Sequence, residues 1–266
     1  MTTLTRADQV RRLAVVAAEL FCVVGTLVGI GVLGTRVEET SGGALSAEAT
    51  LLAPAGPAFS IWTPIYLGLA AYTIWQLVPR NATSERTRAT GWLAAASMVL
   101  NATWLLVTQQ GWIWVSVLVI AALAAVLGVL VTRLAATPPR TTLETVVVDG
   151  TFGAYLGWVT VATCANVTAA LVESGVDLGA TANQLAAVVV VLVALGLGVL
   201  LAWRLGGRWA VAGAMAWGLG WIAVGRLTGG PLSTVTAVTA AVAAVGVLGA
   251  AAWFGRERRG QAPRSA

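Results

Sequence analysis

Residues 144–170 read ETVVVDGTFGAYLGWVTVATCANVTAA, and this stretch decides the fold class. It is long and apolar enough to cross a bilayer as one α-helix. At 100° per residue, Tyr155, Trp158, Ala162 and Asn166 fall within about a quarter of the helix circumference. Because lipid offers the Asn166 amide no hydrogen-bond partner, this stripe is predicted to face other helices or a cavity.

The composition extends this prediction to the whole chain. Of the 266 residues, 58% are hydrophobic and 10% are charged, whereas a soluble domain carries about a quarter charged residues. We therefore expect an all-α integral membrane protein. Eight apolar runs are long enough to span, at 13–34, 56–78, 90–108, 112–134, 143–170, 183–203, 209–227 and 231–254.

The arginines predict the orientation. With a cytoplasmic N-terminus, every basic residue except Arg36 and Arg226 falls on the inner side. This positive-inside bias predicts a protein of the inner or plasma membrane with both termini cytoplasmic. The net charge of +5 lies in short connections between apolar runs, so the partner it indicates is a lipid bilayer and no nucleic acid.

Missing residue types exclude several kinds of chemistry. The chain has no histidine and no lysine, which removes the usual haem and zinc ligand, the near-neutral proton shuttle and any lysine imine. It also has no glycine-rich phosphate loop and no nucleophile paired with a base. We therefore expect no catalytic residues, no metal and no cofactor, and the sequence favours a function other than catalysis.

The predicted topology brings polar and aromatic residues of three spans to one depth. The second span begins at the outer leaflet, where the third and fifth spans end. Indole and phenol rings stack on flat π systems, and a few amides orient a ligand, so these ends are predicted to line a pocket for a hydrophobic small molecule. The candidate ligand-binding residues are Phe59, Trp62, Tyr66, Asn101, Trp104, Tyr155, Trp158, Ala162 and Asn166.

The spacing of these residues resembles the tryptophan-rich sensory protein family, the TspO/peripheral benzodiazepine receptor group of five-helix membrane proteins. That family carries a proline before W-x-x-x-Y, then N-x-x-W, then Y-x-x-W-x-x-x-A-x-x-x-N. The matching residues here are Pro54, Trp62 and Tyr66; Asn101 and Trp104; and Tyr155, Trp158, Ala162 and Asn166.

The resemblance covers about residues 13–170 and implies a receptor, sensor or carrier for a planar hydrophobic ligand, with porphyrins as the commonest class. It predicts a five-helix TspO-like core at 1–170 and a three-helix extension with a basic tail at 171–266. Val167-Thr168-Ala169 stands where the family's cholesterol-recognition segment has its tyrosine and arginine, so sterol binding is not implied.

Other functions stay open at this point. Glu19 and Asp149 are carboxylates at membrane depth, as a proton-coupled small-molecule transporter would need; alternatively, Asp149 pairs with Arg133 or Arg140. Tryptophans at bilayer ends often serve only as interfacial anchors, which would fit a structural membrane assembly factor.

Two further sequence features concern partners. Gly25 and Gly29 form a small-xxx-small face that would serve internal packing or a homodimer. Arg36 or Arg226 is a candidate partner for a ligand carboxylate at the outer end of the helices.

Overall fold

The computed structural model describes residues 4–260, with side chains through Arg258, so the end of the basic tail lies outside the described residues. Helices account for 82% of the structure, and the described residues contain no strand. Seven helices in this part of the chain are long and apolar enough to cross a membrane. The prediction of an all-α, multi-pass membrane protein is therefore confirmed.

The long helices follow the eight predicted runs in order, and we number them α1 to α8. Their bounds are Arg6–Gly29, Trp62–Leu77, Glu85–Gln109, Ile113–Ala136, Thr151–Glu173, Ala180–Leu205, Trp209–Thr228 and Thr234–Gly260. Helical structure before α5 begins at Thr142 and includes the π-helical segment Thr145–Gly150. Together these pieces form one candidate span, Thr142–Glu173.

Helix α2 is the exception to the predicted lengths, because it has only 16 residues, fewer than the roughly 20 that a membrane crossing requires. Prolines set both of its ends. Pro64 has no N–H for the carbonyl four positions earlier and its ring collides with that carbonyl, so an α-helical turn cannot precede it. Gly56–Ile61 forms a 3-10 helix instead, and Pro79 ends α2 by holding Val78 in an extended conformation.

Polar side chains organise the beginnings of two helices where the apolar pattern gives no boundary. Thr5 and Asp8 form a capping box at the start of α1, with Asp8 N donating to Thr5 Oγ1 at 3.2 Å. Before α6, Asp177 Oδ1 accepts hydrogen bonds from Gly179 N and Asn183 Nδ2. These donors stabilise the ionised form and hold the pKa of Asp177 below its usual value.

The chain divides into two compact units. The first comprises the described residues through Ser46 together with Ser60–Phe152; the second comprises Ala47–Phe59 and the chain from Gly153 onward. The first unit thus holds α1 to α4, and the second holds α5 from Gly153 together with α6 to α8. The predicted division at residue 170 into a core and an extension stays a prediction.

In the first unit, α1 packs closely against α3 because of two small residues. A Cβ placed on Gly25 would lie 2.8 Å from the Ala102 Cβ, and one on Gly29 would meet the Leu105 side chain. The backbones of α1 and α3 therefore approach more closely than two ordinary side chains permit. The small-xxx-small face of α1 serves internal packing, so a homodimer, which stays a prediction, would need a different face.

In the second unit, α7 packs against α5 and α8. A Cβ on Gly157 of α5 would collide with the Val211 carbonyl of α7. Helix α8 contacts both α6 and α7. The glycine next to Trp158 thus brings α7 against the tryptophan-bearing turn of α5.

Candidate functional site

A buried polar cluster joins α1, α2 and α3 in the first unit. Asn101 is fully buried, and its Nδ2 donates to the Tyr66 hydroxyl at 3.1 Å and to Cys22 Sγ at 3.5 Å. Thr26, one turn after Cys22, donates from Oγ1 to the Cys22 carbonyl at 2.9 Å. The close approach at Gly25 and Ala102 is what brings the neighbouring residues Cys22 and Asn101 within reach of each other.

One polar atom of Asn101 makes no hydrogen bond in this cluster. Its Oδ1 is buried and has no hydrogen-bond partner among the described residues. A buried carbonyl oxygen without a donor costs about 1–3 kcal/mol. The cluster therefore carries an acceptor that a bound molecule can use.

Aromatic rings lie beside the polar cluster. Trp62 and Tyr66, one turn apart on α2, are stacked, with ring centroids 5.2 Å apart and an interplanar angle of 12°. Both side chains are half-buried, so they keep exposed ring surface. Trp104 on α3 is 8% exposed. The motif residues of α2 and α3 thus combine a flat aromatic surface with an amide.

Glu19 adds a second unpartnered acceptor to the first unit. It precedes Cys22 by three positions and so shares a face of α1 with it. Glu19 is 8% exposed, and its Oε2 has no hydrogen-bond partner in the part of the chain that the structure describes. A carboxylate at this depth in a membrane helix is expensive and points to a function.

The second unit holds the motif residues of α5. Tyr155, Trp158 and Asn166 are buried and Ala162 is half-buried, as expected for a stripe that avoids lipid. The Phe59 and Trp158 rings meet edge to face, with centroids 5.8 Å apart. Trp158 also lies close to Gly218 of α7, 3.5 Å from the position of a Cβ there. Sequence reasoning did not identify this contribution of α7.

A connecting segment is fixed to α7 in the same unit. We call residues 47–59 the strap. Arg226 NH1 donates to the Thr50 carbonyl at 2.6 Å, and NH2 donates to the carbonyls of Ala47 and Ala53 at 2.8 and 3.4 Å. The strap ends at Phe59, so its attachment helps to position the ring that contacts Trp158.

Two more hydrogen bonds join the strap to α7. Trp217 Nε1 donates to the Ala58 carbonyl at 2.9 Å, and Ala55 N donates to the Trp221 carbonyl at 3.1 Å. The hypothesis that Arg226 binds a ligand carboxylate is wrong, because its NH1 and NH2 atoms donate to the strap and the residue is 1% exposed. Arg36 is exposed and lies 3.4 Å from Glu38.

Asp149 belongs to a buried ion cluster whose cation is Arg86. Arg86 NH2 donates to both carboxylate oxygens of Asp149 at 2.7 and 2.9 Å, and NH1 donates to Glu144 Oε1 at 2.9 Å. All three side chains are at most 8% exposed. The predicted partners, Arg133 or Arg140, were wrong: Arg133 donates to the Ala89 carbonyl.

The structure therefore groups the predicted site residues in two sets. Trp62, Tyr66 and Asn101 meet within the first unit, and Phe59 meets Trp158 within the second. Their role as ligand-binding residues stays a prediction.

Comparison with known families identifies the chain. Searches of curated proteins and of solved structures give no significant match. The model of the TSPO-like protein family matches residues 12–253, so the match continues through α6 to α8, beyond the part in which the motifs were recognised. Since this match spans most of the sequence, the chain belongs to the TSPO-like protein family.

Proposed function

We propose that this protein is a membrane receptor or sensor that binds a planar hydrophobic ligand, with porphyrins as the ligand class. The observation that carries the proposal is the stacked pair of Trp62 and Tyr66 beside the unpartnered oxygen of Asn101. The rings supply a flat, polarisable surface, and the amide supplies an oriented polar contact. Family membership supports a sensor or receptor type of function.

The porphyrin class rests on the resemblance of the motifs to the tryptophan-rich sensory proteins. In the first unit, the same resemblance also assigns a ligand contact to Trp104. In the second unit, considered by itself, the residues that match the family's motifs or lie next to them are Phe59, Tyr155, Trp158, Ala162 and Asn166. The proposed location is the inner or plasma membrane with both termini cytoplasmic, supported by the arginine distribution.

Titration of the purified protein with protoporphyrin IX in nonionic detergent tests this function. The porphyrin absorption band is the readout, because it does not depend on the number of tryptophans left in each variant. We expect Trp62→Ala to weaken binding about tenfold, since loss of one stacked ring costs on the order of 1–3 kcal/mol. Asn101→Leu should weaken binding as well.

The matched control is Trp92→Ala, which removes a tryptophan that is 53% exposed on α3. It should bind like the wild type. Equal affinities for the wild type, Trp62→Ala and Asn101→Leu would refute the proposed site. Absence of any porphyrin binding by the wild type would favour the anchoring role of a membrane assembly factor.

A proton-coupled small-molecule transporter is the second candidate function, and Glu19 is the observation that favours it. Its Oε2 is buried and unpartnered within the described chain, whereas Asp149 is held by Arg86. Counterflow in proteoliposomes would test this alternative. Glu19→Gln should abolish proton-dependent exchange. Glu39→Gln, which removes the same charge from an exposed position in the short 3-10 helix Val37–Glu39, should leave it intact.

A further inference from the structure

Two buried acceptor atoms near the polar cluster of the first unit have no donor in the described part of the chain. Asn101 Nδ2 is used by Tyr66 and Cys22, and Thr26 Oγ1 is used by the Cys22 carbonyl. The acceptors Glu19 Oε2 and Asn101 Oδ1 are left without a partner among residues 4–258. Both residues are more than nine-tenths buried, so bulk water does not fully replace the hydrogen bonds that these two oxygens lack.

No cation of the described chain is paired with Glu19. Several arginines of this unit are engaged elsewhere. Arg11 and Arg88 bind Asp8, and Arg86 binds Glu144 and Asp149. Arg12 and Arg133 donate to the main-chain carbonyls of Leu77 and Ala89. The chain has no lysine or histidine that could replace them. A carboxylate in a membrane helix normally has a partner, and none is supplied here by the described side chains.

The aromatic surface of Trp62 and Tyr66 also suits a cationic or N–H-bearing group. The faces of Trp62 and Tyr66 carry negative potential, which attracts cations as well as flat rings. A carboxylate oxygen, an amide oxygen and the faces of two stacked rings all complement a positive or N–H-bearing group. None of them complements a carboxylate.

We infer that the ligand of this site is a planar aromatic molecule that presents a cationic or N–H-bearing nitrogen to Glu19 and Asn101, with Glu19 as the residue that selects it. This inference rests on the proposed function and narrows its ligand class. A porphyrin that binds here keeps its carboxylate edge away from α1. A flat ligand without a donor cannot form the charge-assisted hydrogen bond to Glu19.

Two acridines separate donor recognition from flat-ring recognition. 9-Aminoacridine is cationic near neutral pH and carries N–H donors, whereas acridine has the same ring system without the amino group. Equilibrium dialysis of the full chain in nonionic detergent should show about tenfold tighter binding of 9-aminoacridine. Glu19→Gln should remove this preference, and Glu19→Asp should keep part of it.

Glu39→Gln is the control for net charge and should leave the preference intact. Unchanged preference in Glu19→Gln, with a helical circular dichroism spectrum like that of the wild type, overturns the inference. Protoporphyrin IX binding that depends on Trp62, without any preference between the acridines, overturns the inference and leaves the proposed function standing. If neither the acridines nor protoporphyrin IX binds, both proposals fail.

Discussion

Arg86 neutralises two buried carboxylates from a position at the start of α3. Its guanidinium reaches Glu144 and Asp149 across 58 and 63 positions of sequence, and its third partner is the Leu134 carbonyl at 3.2 Å. A cation at a helix N-terminus is opposed by the helix dipole. The two carboxylates offset that opposition, so the arrangement depends on all three side chains.

Removing Arg86 should therefore destabilise the protein. We expect Arg86→Ala to lower the free energy of unfolding by about 3–5 kcal/mol, because it leaves two carboxylates buried without their cation. Denaturant titration in mixed micelles, followed by circular dichroism, measures this change.

Arg80→Ala is the control for that experiment, since Arg80 is exposed in the connection between α2 and α3. It should change the stability by less than about 0.5 kcal/mol. Similar free energies of unfolding for the two variants would show that the ion cluster contributes little to stability.

At the residue scale, sequence reasoning succeeded for some groups and failed for others for a physical reason. The predicted topology placed Tyr66 and Asn101 at one depth on different spans, and in the structure they are joined by a hydrogen bond. The partners of Arg86 and Arg226 were not predictable in this way. Their acceptors are carboxylates and main-chain carbonyls 48 to 179 positions away, and a carbonyl carries no sequence signal.

The contact of α1 with α3 decides the position of the polar cluster, since it brings Cys22 within reach of Asn101. It depends on Gly25, where a Cβ would lie 2.8 Å from the Ala102 Cβ and 2.9 Å from its Cα. We expect Gly25→Ala to destabilise the protein by about 1–3 kcal/mol through overpacking. Thermal unfolding in detergent measures the change.

Gly128→Ala is the matched control in α4. A Cβ there meets nothing within 4 Å, and alanine favours helix over glycine by up to about 1 kcal/mol. This variant should be neutral or slightly stabilising. If Gly128→Ala lost as much stability as Gly25→Ala, the loss would come from replacing a helical glycine in general and not from the close contact of α1 with α3.

At the element scale, hydrophobic periodicity located the helices but not their ends. Helix α1 begins before its apolar run because Thr5 and Asp8 cap it. Helix α2 is shorter than its run because Pro64 excludes an earlier α-helical turn. The π-helical segment Thr145–Gly150 has a valine-rich sequence that also suits an ordinary α-helix, so periodicity does not distinguish the two.

For the whole molecule, the arginine distribution predicts the direction in which each helix crosses the membrane. Arg80→Cys should lie on the cytoplasmic side, and Asp177→Cys, between α5 and α6, on the outer side. In a background with Cys22→Ala and Cys164→Ala, a membrane-impermeant maleimide should label Asp177→Cys in intact cells. It should label Arg80→Cys only after permeabilisation, and the reverse pattern would invert the proposed topology.

At this scale the sequence predicted the membrane class and the order of the helices. It predicted eight spans, whereas seven helices of the described chain are long and apolar enough to cross a membrane, and it did not predict the division into two units. The strap belongs to the second unit, although in sequence it lies between two parts of the first. The strap is joined to α7 by contacts separated by 159 to 179 positions. Such contacts depend on tertiary folding and leave no periodic pattern in the chain.

The attachment of the strap by Arg226 also has a consequence for protein engineering. The guanidinium binds main-chain oxygens at Ala47, Thr50 and Ala53, and every amino acid supplies the same oxygen. Exchanging side chains at these three positions for others of similar size should therefore be tolerated, whereas deleting one residue between them would shift the oxygens out of register with a rigid, planar donor. The number of residues between the three carbonyls therefore matters more than the side chains at these positions.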